Sequence, residues 1–165
     1  RLGFKIFYLY NPGSQEFDSL LGFFMKNTEE ALTVFYSGRY NATGIEFVNG
    51  HLSKSSVTDA IINNCTGKVR VTFISDVLGG GSAFTINGGS NLISFFVNKA
   101  GSPESKDNKR SHGIFTYYFC KYTSESPHIS PNRLIERMNA SMNRFNEVTT
   151  CEYTNEKLGE SPIFF

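Results

Sequence analysis

The sequence predicts a single three-layer α/β domain over residues 1–165, with a mostly parallel sheet and helices on both faces. Three observations lead there. Short runs of β-branched and aromatic residues alternate with amphipathic stretches, the pattern of strands joined by helices. Val71–Ser82, VTFISDVLGGGS, reads as a buried strand that runs through Asp76 into Gly79, Gly80 and Gly81. A strand ending in a glycine turn is where an open α/β sheet carries its site. Asn91–Asn98, NLISFFVN, is near-continuously apolar, as a strand covered on both faces should be.

The elements follow in order. Lys5–Tyr10 (KIFYLY) is a strand candidate, broken by Asn11-Pro-Gly. A helix is expected over Ser14–Lys26, with Ser14 as N-cap and Phe17, Leu20, Leu21 and Phe24 as its apolar stripe. Ala31–Ser37 is the next strand, ended by Gly38. Strand, helix and strand with short connections form a βαβ unit, so Lys5–Tyr10 and Ala31–Ser37 should be parallel in one sheet. Ile45–Leu52 carries Asn49-Gly50 between apolar residues, a hairpin signal. A second helix runs from Ser55 to Asn63, with Ser56 and Asp59 in capping-box form and Val57, Ala60 and Ile61 inward.

Lys68–Ser75 is the strand of the glycine turn, and Gly101–Ser111 is charged and reads as a loop. His112–Ser124 is read as a helix with Phe115, Tyr118, Phe119 and Tyr122 on one face, although its aromatic density also suits a strand. Ser130-Pro131 opens a fourth helix, Ser at N-cap and Pro at N1, with Leu134, Met138, Met142 and Phe145 on the core side. Val148–Tyr153 is a last short strand.

Composition narrows the function classes. A net charge of +1 argues against nucleic acid or an anionic membrane as partner. No apolar run approaches the ~20 residues of a membrane span. The chain opens on Arg1, so it reads as an incomplete segment of a longer polypeptide. Cys65, Cys120 and Cys151 are odd in number and far apart, which fits a reducing, cytoplasmic compartment. Asn41-Ala-Thr and Asn139-Ala-Ser match the glycosylation pattern, a pattern common by chance.

Few residues offer chemistry. Gly79–Gly81 lack the Gly-Lys-Ser/Thr continuation of a phosphate loop. His112 and Cys120 lie eight apart on one helix, just over two turns, and cannot meet within it. His51 follows a hairpin turn, and His128 stands beside Pro127 in a loop. Cys65 with His51 is an alternative nucleophile pair that nothing orients; a plain surface thiol is the simpler reading. No His, Cys or carboxylate cluster has metal-site spacing, and no cofactor is implied. Lys106–Arg110 reads as a solvated basic loop.

The order of pieces resembles the caspase-like and metacaspase-like cysteine peptidases. Ala31–Gly38 (ALTVFYSG) is similar to their strand F-Y-x-S-G-H-G, and Val71–Gly81 to their strand ending D-x-C-x-x-G. The hairpin and helix of Ile45–Asn63 fit the family order, and Ser111–Phe119 (SHGIFTYYF) looks like its G-x-F-T helix start. The resemblance covers the chain from about Phe4 onward and implies the caspase–hemoglobinase fold, with the family's first strand missing here.

The departures bear on function. The family's histidine base follows Ser-Gly, where this chain has Arg39; its cysteine lies two residues after the aspartate, where this chain has Leu78. A guanidinium stays protonated near neutral pH and a leucine has no lone pair, so the resemblance implies a pseudopeptidase. Asp76 matches the aspartate that helps hold a basic substrate side chain. It is expected either to keep that binding role or simply to cap the turn. A third alternative is that Arg39, the other binding position, pairs with Asp76 across the old site and closes it.

Two function classes remain. One is an inactive caspase-like domain that binds protein as a scaffold, a regulator of an active relative, or a structural subunit of a larger assembly, the cytoskeleton included. The alternative is an active metacaspase-like endopeptidase with a displaced or partner-supplied dyad.

Overall fold

The computed structural model describes residues 5–41, 43–65, 67–78, 84, 91–97, 113–145 and 147–164. Six strands form one mixed sheet. The chain runs α1 (Ser14–Asn27), β1 (Ala31–Asn41), β2 (Gly44–Phe47), β3 (Gly50–Leu52), α2 (Lys54–Asn64), β4 (Arg70–Leu78), β5 (Leu92–Val97), α3 (Ile114–Glu125), α4 (Pro131–Met142), β6 (Thr149–Tyr153) and α5 (Lys157–Glu160). The strand order is β3-β2-β1-β4-β5-β6. The central strands β1, β4 and β5 are parallel. β2 and β3 at one side and β6 at the other add antiparallel pairings.

Alternation along β4 builds two cores. Val71, Phe73 and Val77 pack with Phe17, Leu21 and Met25 of α1 and Val57 and Ile61 of α2. Ile74, with Ile93, Phe95 and Val97 of β5, packs with Phe115 and Phe119 of α3 and Leu134, Met138 and Met142 of α4. Successive strand side chains point to opposite faces, so one strand with apolar residues at both parities holds a helix pair on each side. Each such side chain taken out of water contributes about 1.5–3 kcal/mol. The α/β class and the buried faces of α3 and α4 therefore stand as expected. Ser130 caps α4 through its Oγ, which accepts the Arg133 N–H at 3.5 Å, with Pro131 next. Asn139 of α4 clasps β6: its Nδ2 donates to the Thr149 carbonyl at 3.1 Å, and its Oδ1 accepts the Thr149 N–H at 2.7 Å.

Other expectations are corrected. Residues 5–10 form no strand and lie exposed, with Phe7 packed on Phe24 of α1 at 4.6 Å between ring centroids. Asn11, at φ 46°, turns the chain before α1, so the strand-forming composition of KIFYLY finds no ladder there. Ser14 does not cap α1. Gly13 is the N-cap, and Asn49 of the hairpin accepts the Ser14 N–H at 2.8 Å. The hairpin turn is Val48–Asn49, because Phe47 pairs with Gly50. Ser53, not Ser56, caps α2, accepting the Ser56 N–H at 3.1 Å. β1 continues past Gly38 to Asn41, and β4 past Ser75 to Leu78. α5 was not expected; it buries Leu158 and Gly159. The expected loop 101–111 lies outside the described residues.

Ser75 is fully buried on β4, and its hydroxyl meets no hydrogen-bond partner among the described residues. A buried unpaired hydroxyl costs free energy that an apolar replacement of similar size avoids. Ser75→Ala should raise stability by about 1 kcal/mol in urea unfolding.

Candidate functional site

The candidate site lies at the carboxyl ends of β1 and β4, where the parallel ladder places Ser37 beside Asp76, Gly38 beside Val77 and Arg39 beside Leu78. The two positions that resemble the family's histidine and cysteine are thus register partners at one sheet edge. Register partners share a face. Phe35, Ser37 and Arg39 therefore share the face of Ile74 and Asp76, on which α3 and α4 pack. Those helices cover β4 and β5 but leave this face of β1 open: Phe35 is 47% exposed, and Ser37 and Arg39 are exposed.

Asp76 is buried, and its placement is specific. The Thr116 hydroxyl of α3 donates to its Oδ2. Gly113, the N-cap of α3, faces the same carboxylate: a Cβ there would come within 2.5 Å of Oδ2 and 3.0 Å of Oδ1. A helix N-terminus favours negative charge through its unpaired N–H groups and dipole. Asp76 thus lies within β4 and anchors α3; the turn it was expected to cap, residues 79–81, lies outside the described residues. Three-residue spacing of Gly113 and Thr116 at a helix start was the available signal; nothing local linked it to Asp76, 40 residues earlier than Thr116.

Arg39 does not close the site by pairing with Asp76. Among the described residues the ion pairs are Arg133–Glu136 at 3.7 Å and Arg137–Glu125 at 2.6 Å. Arg39 keeps its guanidinium in water, whereas Asp76 is buried with Thr116 as its donor. The Arg39 backbone is held instead. Tyr36 folds back so that its hydroxyl lies 2.9 Å from the Arg39 carbonyl oxygen and 2.8 Å from that of Glu46 in β2. A Cβ at position 38 would strike the same hydroxyl at 2.5 Å, so only glycine leaves room for this tie. Burial raises the Tyr36 hydroxyl above its ordinary value near 10, and the Glu46 charge pushes the same way.

The remaining titratable groups do not assemble. His51 lies on β3 before α2, and Cys65 is the C-cap at the far end of that 11-residue helix, which is about 16 Å long at 1.5 Å per residue. His128 is exposed in a turn, as expected. All three cysteines are free. Burial, with Glu152 beside it, pushes the Cys151 thiol up to about 12, and burial also raises Cys120. Neither is activated as a thiolate nucleophile would be. No group of three or more His, Cys, Asp or Glu residues among the described residues could hold a metal ion. No described helix is long and apolar enough to cross a membrane. Residues 79–81, 106–110 and His112 lie outside the described residues, as does the Leu78 side chain.

No protein-family model matches this chain, and no curated protein sequence matches it significantly.

Two outcomes are expected. Gly113→Ala should destabilise the fold by about 1–3 kcal/mol in thermal or urea unfolding, because the added methyl displaces a buried carboxylate. Tyr36→Phe should cost about 1–2 kcal/mol near neutral pH, where the neutral phenol bonds the two carbonyls. The raised value in the fold means this contribution is fully present below pH 10 and fades as pH climbs through the raised value. Unfolding curves of the two proteins should therefore converge above pH 10.

Proposed function

We propose that this chain is an inactive caspase-like domain that works by binding protein, as a scaffold, a regulator of an active relative or a subunit of a larger assembly. One observation carries the reading. The positions that resemble the family's dyad, Arg39 and Leu78, are neighbours across a parallel ladder at the carboxyl end of the sheet. That is the place and spacing at which a base and a nucleophile would have to meet, and the residue types there can be neither. A fixed cation cannot take a proton from a thiol, and an alkyl group cannot attack a carbonyl.

Binding falls to what this end of the sheet offers. Phe35, Ser37 and Arg39 form an open row on β1 that combines an apolar ring, a hydroxyl and a cation. Asp76 stands beside Ser37 on the same face, but it is buried and its Oδ2 already accepts the Thr116 hydroxyl. Arg39 is therefore the first contact and favours an acidic or carbonyl-rich partner segment.

The test is direct. The protein is incubated with peptides containing basic or acidic cleavage residues, with and without calcium, and then with a thiol-reactive peptide electrophile. No turnover is expected, and no cysteine should label faster than an ordinary surface thiol. Turnover, or selective labelling of one cysteine, would restore a peptidase.

A further inference from the structure

One edge of the sheet is open in its middle. β1 pairs with β4 over residues 31–39, but with β2 only at Tyr40 and Asn41. The outer edge of residues 31–39 carries no strand among the described residues. Every second residue there turns its N–H and C=O outward, a template for an added strand.

The same chain carries a segment with the matching need. Residues 5–10 belong to no helix or strand and are exposed, with Ile6 at 89%, Tyr8 at 82% and Tyr10 at 78% exposure. None of their backbone groups is bonded among the described residues. Side chains alternate: Leu9 is the least exposed of the apolar residues, and Phe7 rests on Phe24, while Ile6, Tyr8 and Tyr10 point to solvent. That is a strand's pattern without a ladder.

The connection to α1 decides which copy can supply the segment. Only Asn11, Pro12 and Gly13 join it to the helix. Gly13 packs against the Asn49 side chain, which also accepts the Ser14 N–H, so the hinge is pinned at its helix end. Asn11 is left-handed at φ 46°, immediately before a proline that disfavours helical backbone at that position. A short, pinned, strained hinge favours exchange between copies over refolding onto its own sheet.

We propose that residues 5–10 of one copy add to the outer edge of β1 in a second copy, and that the reciprocal exchange makes a closed dimer. Relaxation of Asn11 to extended backbone releases the strand. The exchange covers the apolar side chains that one copy leaves in water.

Sedimentation of the chain over a range of concentrations tests this, combined with hydrogen exchange of those β1 amides among residues 31–39 that face outward rather than toward β4. A reversible dimer with protected β1 amides is expected. The double variant Ile6→Lys, Tyr8→Lys changes only exposed side chains. It should keep the monomer's fold, weaken association by about tenfold or more and lose the β1 protection. A wild-type chain that stays monomeric would overturn the exchange; protected β1 amides in that monomer would assign the strand to its own sheet. A dimer that survives the double variant would also overturn it, by placing the interface elsewhere.

Discussion

The parallel ladder between β1 and β4 is the constraint on which the rest of the structure depends. β4 has a neighbour on each side and a helix pair over each face, so its register leaves no freedom to its neighbours. A slip of one residue would turn Val71, Phe73 and Val77 away from α1 and α2 and bury the wrong set. The same register fixes the carboxyl edge: Ser37 stands beside Asp76 and Arg39 beside Leu78. Core packing and site geometry are thus one fact seen at two ends of a strand.

The two sides of this ladder are unequally finished. On the α3 side, Asp76 is tied to the helix through Thr116 and Gly113, and the packing of aromatic rings such as Phe95 on Phe119 continues toward α4. On the β1 side, Phe35, Ser37 and Arg39 face water, and the outer edge of residues 31–39 carries no strand among the described residues. Energetically the domain is anchored at β4 and β5 and open at β1.

What the sequence disclosed and what it withheld divide along range. Buried faces of α3 and α4 follow from periodicity within one helix, and were legible in Phe115, Tyr118, Leu134 and Met138. The Ser130–Pro131 start was legible because its cap is local. Caps supplied from afar were not: Asn49 serves α1 from a hairpin 35 residues later. Strand ends were misjudged where a residue read as punctuation had another task, as at Gly38 beneath the Tyr36 hydroxyl. KIFYLY has a strand's composition, but composition does not name a partner. At the site, the residue types at positions 39 and 78 could be read directly, whereas their alignment across the ladder and the Thr116–Asp76 bond needed the fold.

The clasp between Asn139 and Thr149 also settles the meaning of Asn139-Ala-Ser in the folded chain. Both ends of that side-chain amide are occupied, the nitrogen by a carbonyl and the oxygen by an N–H. A sugar attached to the nitrogen would replace one of its two hydrogens and leave the other to hold the Thr149 carbonyl. In the finished fold this triplet pins α4 to β6, and an oligosaccharide there would have to leave the clasp by the nitrogen's second hydrogen.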